Sequence, residues 1–301
     1  MNSDRHHGLA TLRVAVTGGT SGLGLALVRA LHAAGARVAF VARDAQRVQR
    51  IAAELPGTHG IVGDVALQDD THRIALQIGA ALGGVDVLVN NASSLGPVPL
   101  ALLADTECED LSAALATNVL GPFRLTKALL GNLAASARER RGRAGAAHAA
   151  GALVVNITSD AAVTPYAGWG AYGASKAALL HLSRIWHEEL DEFGVRVRSF
   201  DPGDMDTPLH ALALPEADPA TLKPPATSAS ELLALIEREL FEHEMYEREL
   251  FKHEMSDHEA DARASLEQEP DKHPTRQHAS SERGSPQDDT TARATIEGAR
   301  A

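Results

Sequence analysis

Tyr172 and Lys176 stand four residues apart in YGASK, and Ser159 precedes the tyrosine by thirteen positions. On a helix, residues four apart project from one face. A phenol titrates near pH ~10, too high for ready acid–base work at neutral pH. A neighbouring ammonium favours the phenolate and lowers that value, so the pair suits proton transfer to or from a substrate oxygen. A core tyrosine beside a solvated lysine has the same spacing. The pair therefore takes its meaning from what surrounds it.

A second group could hold phosphate. Leu12 to Thr17 (LRVAVT) reads as a buried strand, followed at once by TGGTSGLG and the helical pattern LALVRALHAAG. Strand, glycine turn and helix N-terminus form an anion site, because small residues admit a pyrophosphate and free N–H groups face it. Thr17, Gly18, Ser21, Gly22, Leu23 and Gly24 are the candidate contacts. A tight turn without a ligand is the plainer alternative. The spacing G-x-x-x-G-x-G differs from the common G-x-G-x-x-G fingerprint.

The second strand, Arg37 to Ala42 (RVAFVA), ends without the acid that commonly holds the adenosine ribose of NAD, and Arg43 follows. An arginine there accommodates the extra phosphate of NADP. The pattern favours NADP(H) over NAD(H), with Asp44 as the competing ribose ligand and a solvated loop cation as the plainer reading of Arg43. Further strands are expected at His59 to Val62, Val85 to Val89, Ala152 to Ile157 and Val195 to Phe200, with helices between them. The strand ends deliver Asp64-Val65, Asn90-Asn91-Ala92-Ser93, Thr158-Ser159 and Asp201-Pro202-Gly203 with Thr207. Ligands of open parallel sheets bind at that edge. Asn118 lies in a helical pattern from about Ala101 to Ala137, and Gly121-Pro122 predicts a kink beside it. Arg138 to Gly151 reads as a flexible surface loop carrying Arg138, Arg140, Arg141 and Arg143. This alternation implies a doubly wound parallel sheet, Rossmann-like, in three α/β/α layers.

Composition narrows the classes. The 301 residues are 44% hydrophobic but only 4% aromatic, which suits helices on a sheet, and the net charge of −12 argues against nucleic-acid binding. Cys108 is the single cysteine, so a reducing compartment is expected. The opening MNSDRHHGLATLR lacks the apolar core of a signal peptide, and no apolar run reaches membrane-spanning length. A cytoplasmic protein with no membrane or nucleic-acid partner is the expectation.

With these pieces in order, Leu12 to Glu239 resembles the short-chain dehydrogenase/reductase family, in its compact single-domain branch. The TGGTSGLG loop, Asp64, Asn90-Asn91-Ala92, Asn118, Ser159, Tyr172, Lys176 and Pro202-Gly203 with Thr207 carry the resemblance. It implies a nicotinamide-dependent oxidoreductase interconverting an alcohol and a ketone or aldehyde, often a homodimer or homotetramer. By resemblance, Tyr172 is the general acid/base and Lys176 lowers its pKa and holds the nicotinamide ribose. Ser159 would hold the substrate oxygen, and Asn118 a water leading to solvent. Asp64 and Val65 would meet adenine, Asn91 and Ala92 the ribose region, and Pro202, Gly203 and Thr207 the nicotinamide side. The chain departs from the family at Ser93, where glycine is usual, in the long gap between Asn118 and Ser159, and late in the chain, where a seventh strand is expected and nothing after Leu240 reads as one.

The C-terminal part differs in kind. ERELFEHEMY and ERELFKHEMS repeat between Glu237 and Ser256, and from Ala226 on, 18 acids against 9 bases carry −9 of the net charge. Ten-residue repeats drift around a helix, so Phe241/Met245 and Phe251/Met255 form separate pairs. His243, His253 and His258 have no metal-site spacing, and no metal is expected. The division expected is a flexible 1–11, a catalytic domain 12–240, and an atypical charged helix with a disordered tail at 241–301. The alternative to an enzyme is a non-catalytic NADP-binding sensor that uses this C-terminal segment to hold a partner.

Overall fold

The apolar, β-branched runs become six parallel strands in a computed structural model that describes residues 8–144 and 151–242. The strands are β1 (Arg13–Thr17), β2 (Arg37–Ala42), β3 (His59–Val62), β4 (Val87–Asn90), β5 (Ala152–Ile157) and β6 (Val195–Phe200). Their order is β3-β2-β1-β4-β5-β6. Chain direction across the sheet reverses between β1 and β4, where Val14 pairs Val38 on one side and Val87 on the other. A crevice at the carboxyl ends of these two strands is the geometric consequence.

Helices cover both faces. Leu27, Val28 and Leu31 of α1 (Gly22–Ala33) pack with Leu232, Leu233 and Ile236 of α8 (Pro225–Glu237) over one face. On the other face, Ile74 and Ile78 of α3 (Gln68–Leu82) meet Leu125, Leu129 and Leu133 of α5 (Gly121–Ala144). The remaining helices are α2 (Ala45–Glu54), α4 (Cys108–Leu115), α6 (Gly170–Leu190) and α7 (Pro208–Ala213). Burying each such aliphatic side chain contributes about 1.5–3 kcal/mol, and the two apolar layers together clamp the sheet. Between them runs a polar ladder: Asn90 Nδ2 donates to Asn156 Oδ1 at 2.8 Å, and Asn156 Nδ2 donates to Ser183 Oγ at 2.8 Å. It ties the ends of β4 and β5 to α6, the helix that carries Tyr172.

Three expectations change. The helix expected to end near Ala137 continues through Ala144, so residues 138–144 are not loop. Arginine and alanine are good helix formers, Ala137 is fully buried, and Glu139 meets Arg13 at 3.0 Å. The helical stretch before it is broken into a 3₁₀ turn at Leu103–Asp105, α4, and a π turn at Ala116–Leu120. Leu9, expected in a flexible segment, is fully buried within a 3₁₀ turn, Leu9–Thr11.

Among the described residues the sheet has six strands, and the chain after β6 is helical. The end of α8 passes into a π turn, Arg238–Glu242, laid against β6. Glu239 there reaches Arg198 Nε at 3.0 Å and Arg196 Nη1 at 3.4 Å. Residues 243–256 of the repeat, the tail beyond, and residues 1–7 and 145–150 lie outside the described residues, as do His243, His253 and His258. No described helix is long and apolar enough to cross a membrane.

Candidate active site

The glycine turn after β1 is built for close approach. Gly18 has φ +69, and a Cβ there would stand 2.8 Å from Asn91 Nδ2; a Cβ on Gly24 would stand 2.3 Å from the Gly18 carbonyl oxygen. Only glycine fits either position. Asn91 Nδ2 donates to the Thr17 carbonyl at 2.8 Å, and Thr17 Oγ1 accepts the N–H groups of Asn91 and Ala92, both at 3.0 Å. Thr17, Asn91 and Ala92 thus fasten the ends of β1 and β4 together. Ser21, the N-cap of α1, makes no side-chain capping bond, so the first N–H groups of this twelve-residue helix stay available. Ser21, Gly22 and Leu23 face a cavity of about 560 Å³. Free helix N–H groups over side-chain-free backbone fit a pyrophosphate.

At the end of β2, Arg43 and Arg47 both face the same cavity. Asp44 faces the cavity as well, with its carboxylate bound locally: as N-cap of α2 its Oδ1 accepts the Arg47 N–H at 3.0 Å, and its Oδ2 lies 3.4 Å from Arg47 Nε. The one acid that competed for the ribose role is therefore a helix cap. Arg43 is 77% exposed, with Asp64 Oδ2 3.9 Å away, a loose pairing that leaves it free to meet a ligand. Asp64 and Val65 form the neighbouring wall.

Ser159, Tyr172 and Lys176 line the cavity from the other side. Lys176 is 2% exposed and Nζ donates to the Ile157 carbonyl at 2.7 Å. Burial lowers its pKa from an ordinary 10.5 to about 8, with Asp201 pulling back upward. Burial likewise raises the Tyr172 phenol from 10.0 to about 12; the Ser159 hydroxyl opposes this, Asp201 reinforces it, Ser93 opposes it and Asp160 adds to it. The expected lowering of the tyrosine by its lysine is absent here. Nζ sits 5.4 Å from the phenol ring centroid, and burial is the largest influence on each of the two groups. Ser93 Oγ is buried without a well-aligned hydrogen bond, so the serine in place of glycine adds a hydroxyl beside the phenol.

Asn118 sits behind the wall rather than in it, with 0% exposure. Its Oδ1 accepts the Ser94 N–H at 2.8 Å, and its Nδ2 donates to the Ser94 carbonyl at 2.7 Å and to Ser175 Oγ at 2.8 Å. The side chain joins the β4 loop to α6. Pro122, four residues on, has no N–H to give the Asn118 carbonyl, and the chain answers with the π turn, in which the Gly121 N–H bonds to Ala116. The expected kink is this widened turn.

Of the remaining candidates, Pro202, Gly203 and Thr207 line the cavity, whereas Thr17 and Gly24 are buried beneath it. Ser228 Oγ donates to the Pro202 carbonyl at 2.9 Å and fixes that turn from α8. Several lining residues escaped sequence reasoning: Arg47, Asp160, Tyr166, Trp169, Asp204 and His210. Arg47 had a signal, its i+4 spacing from Arg43. Asp160 and Tyr166 had none, because their 2.7 Å hydrogen bond depends on the fold of the loop. Among the described residues no cluster of three or more His, Cys, Asp or Glu could hold a metal ion.

A nucleotide cradle at the sheet's switch point, sharing one cavity with a tyrosine–lysine–serine group, defines a nucleotide-binding oxidoreductase. The chain belongs to the short chain dehydrogenase family, whose model matches residues 13–217. It is 34% identical over 196 residues to serine 3-dehydrogenase of Agrobacterium fabrum, covering 64% of this chain and 72% of that one. It is 31% identical over 212 residues to L-fucose dehydrogenase of Bos taurus, covering 70% and 73%. The crystal structure of a short chain dehydrogenase from Burkholderia cenocepacia in complex with NADP superposes with a TM-score of 0.63 at 26% identity, over 75% of this chain and 89% of that one. Its class is that of oxidoreductases acting on CH–OH groups.

Proposed function

We propose that this chain is an NADP(H)-dependent oxidoreductase that interconverts a small alcohol and its ketone or aldehyde, with Tyr172 as general acid/base. The observation that carries it is the shared cavity: Tyr172, Ser159 and Lys176 face the same space as the uncapped start of α1. NADP(H) rather than NAD(H) is supported by Arg43 and Arg47 at the end of β2, with the Asp44 carboxylate between them paired to Arg47.

The residues divide the work. The start of α1 and the glycine turn would hold the pyrophosphate, Arg43 and Arg47 the extra phosphate, and Lys176 with the 202–207 segment the nicotinamide end. When bound, the dinucleotide supplies or takes up the hydride. A phenol raised to about 12 is protonated at neutral pH, so Tyr172 stands ready to donate a proton to a carbonyl oxygen. Ser159 and Ser93 then donate toward the phenolate or the substrate oxygen, stabilising the charge that develops there. Lys176, still mostly cationic at pH 7, adds positive charge behind them. Asn118 acts through position, holding the loop at Ser94, and would in this reading help place a water that leads to solvent. The proposal extends to a cytoplasmic homodimer or homotetramer; what supports this is the exposed free thiol of Cys108 and the part-exposed stack of Phe123 on Trp186, 5.1 Å apart on α5 and α6.

Turnover of NADPH against a carbonyl panel tests the reading. Tyr172→Phe is expected to lower kcat about 10²–10⁴-fold with cofactor binding retained. Wild-type rates from this variant would refute the assignment. In the same assay Arg43→Asp should raise KM for NADPH about ten-fold more than KM for NADH, the size of one lost charge-assisted contact. Equal changes would remove the phosphate role.

A further inference from the structure

The substrate end of the cavity has an electrostatic character that the acid/base group does not require. Asp160 directly follows Ser159, and its carboxylate is held in a definite place. Tyr166 OH donates to Oδ2 at 2.7 Å, Ser159 Oγ donates to Oδ1 at 2.9 Å, and the Ala161 N–H donates to Oδ1 at 2.7 Å. The Tyr166 hydroxyl, then Ser159 and Ala161 N–H, hold this carboxyl below the usual range against a smaller desolvation cost, so it is ionised at neutral pH. Asp201 and Asp204 line the same region. The arginines of the cavity, Arg43 and Arg47, lie at the opposite, phosphate end, and Lys176 is buried behind the phenol. Tyr166, Trp169 and Tyr172 add a run of aromatic rings, each edge-on to the next at centroid distances of 6.5 and 5.6 Å. Anionic oxygens beside aromatic rings are what an alkylammonium group binds.

We propose that Asp160 is a specificity-determining residue that selects substrates carrying an ammonium group on the carbon next to the carbinol, that is, 1,2-amino alcohols and the matching amino ketones. The inference rests on Tyr172 and Ser159 holding the reacting oxygen, as set out above. With that oxygen on Ser159 Oγ, and Asp160 Oδ1 2.9 Å beyond Oγ, a nitrogen on the carbon adjoining the carbinol falls within hydrogen-bond reach of the carboxylate.

The same contact has a second consequence. Without a ligand, Asp160 Oδ1, 2.9 Å from Ser159 Oγ, competes with the Tyr172 phenol and with any substrate oxygen for the single Ser159 proton. An ammonium group donating to Oδ1 competes with that proton and releases it toward the substrate oxygen. The right substrate thereby completes the hydrogen-bond donor that its own reaction uses. The redox step balances in the reducing direction, which the protonated phenol serves: the carbonyl carbon of the amino ketone would take up a hydride from reduced dinucleotide and its oxygen the Tyr172 proton, giving the amino alcohol, and the reverse oxidation would start once Tyr172 has lost its proton to solvent.

Three compounds of similar size test this: 1-amino-2-propanol, 2-butanol and 3-hydroxybutyrate, which place ammonium, methyl and carboxylate at one position. At pH 7.5, well below the amine pKa of about 10, kcat/KM should fall in that order, by about ten-fold from ammonium to methyl. Asp160→Asn, which keeps a hydrogen-bonding side chain of the same shape, should bring the ammonium-to-methyl ratio close to one. Fluorescence of bound NADPH checks that the variant is folded. A wild-type ratio of one or less, or a ratio unmoved in Asp160→Asn, overturns the proposal. So does wild-type turnover of none of the three. Tyr172-dependent turnover of some other alcohol would then leave the oxidoreductase reading standing on its own.

Discussion

Lys176 is the residue where burial and chemistry collide most directly. The ammonium is fully enclosed, donates to one backbone carbonyl, and faces a phenol that is itself protonated in the ligand-free chain. The enclosure disfavours the charge, which is why its pKa falls from 10.5 to about 8. In the unfolded chain the same amine keeps its proton to the ordinary value. Between pH about 8 and 10.5 the unfolded state therefore binds the extra proton, and stability rises with pH across that window. A tenfold change in proton affinity corresponds to roughly 1.4 kcal/mol, so the gain is on the order of 3–4 kcal/mol at most. Tyr172 acts the other way at higher pH, because its folded pKa lies above the unfolded one and stability falls as pH climbs from 10 to about 12. The expected result is a urea midpoint for the ligand-free protein that rises between about pH 7.5 and 9.5 and does not rise in Lys176→Met. Parallel curves for the two proteins would show that the lysine is solvated after all. Added NADPH should flatten the wild-type rise, since negative charge near the amine restores its proton.

At the scale of elements, the legible parts were those set by local rules. Period and β-branching mark all six strands, each found within two residues of its expected span, because buried parallel strands admit little else. The cradle was legible too, since Gly18 and Gly24 are forced by atoms nearby in sequence and at the adjacent strand end. What could not be read were the places where a distant partner decides the outcome. Arg138 to Ala144 reads as loop because of its charge run and the glycines in and after it, yet it is helix: arginine and alanine favour one, Ala137 packs in the core, and Glu139 finds Arg13, which is anchored to buried Asp86 at 2.8 Å. Asn118 read as a site residue, and its side chain proves to be a brace between Ser94 and Ser175. The proline that marks the kink was visible, whereas the loop that the asparagine holds was not. Asp160 was passed over because nothing within its own turn indicates that Tyr166 would fold back to orient it. The acid/base pair shows the same limit: spacing predicts that Tyr172 and Lys176 share a face, and only burial decides which way each titrates.

For the whole molecule, the open question is what finishes the sheet beyond β6. Helix α8 crosses the α1 face and ends in the turn Arg238–Glu242, so the described chain closes this edge with side chains rather than with a strand. Two contacts carry the closure. Leu240 is 1% exposed in the same apolar layer as Leu27 and Val155, and Glu239 lies between Arg196 and Arg198 on β6. The same helix holds the Pro202 turn through Ser228, so this closure is coupled to the wall of the cavity. If the turn is part of the folding unit, Leu240→Ala should cost about 2–5 kcal/mol, as for other buried leucines. Glu239→Ala should cost about 1–3 kcal/mol, because two partly buried guanidinium groups lose their acceptor. Arg198 retains His187 at 2.9 Å, which keeps the second cost at the lower end. Both variants should unfold in one transition with lowered urea midpoints, and Arg198→Ala should cost less in the Glu239→Ala background than alone. Midpoints at the wild-type value would make the turn an appendage on β6, and the sheet would then need its edge covered by something other than this segment.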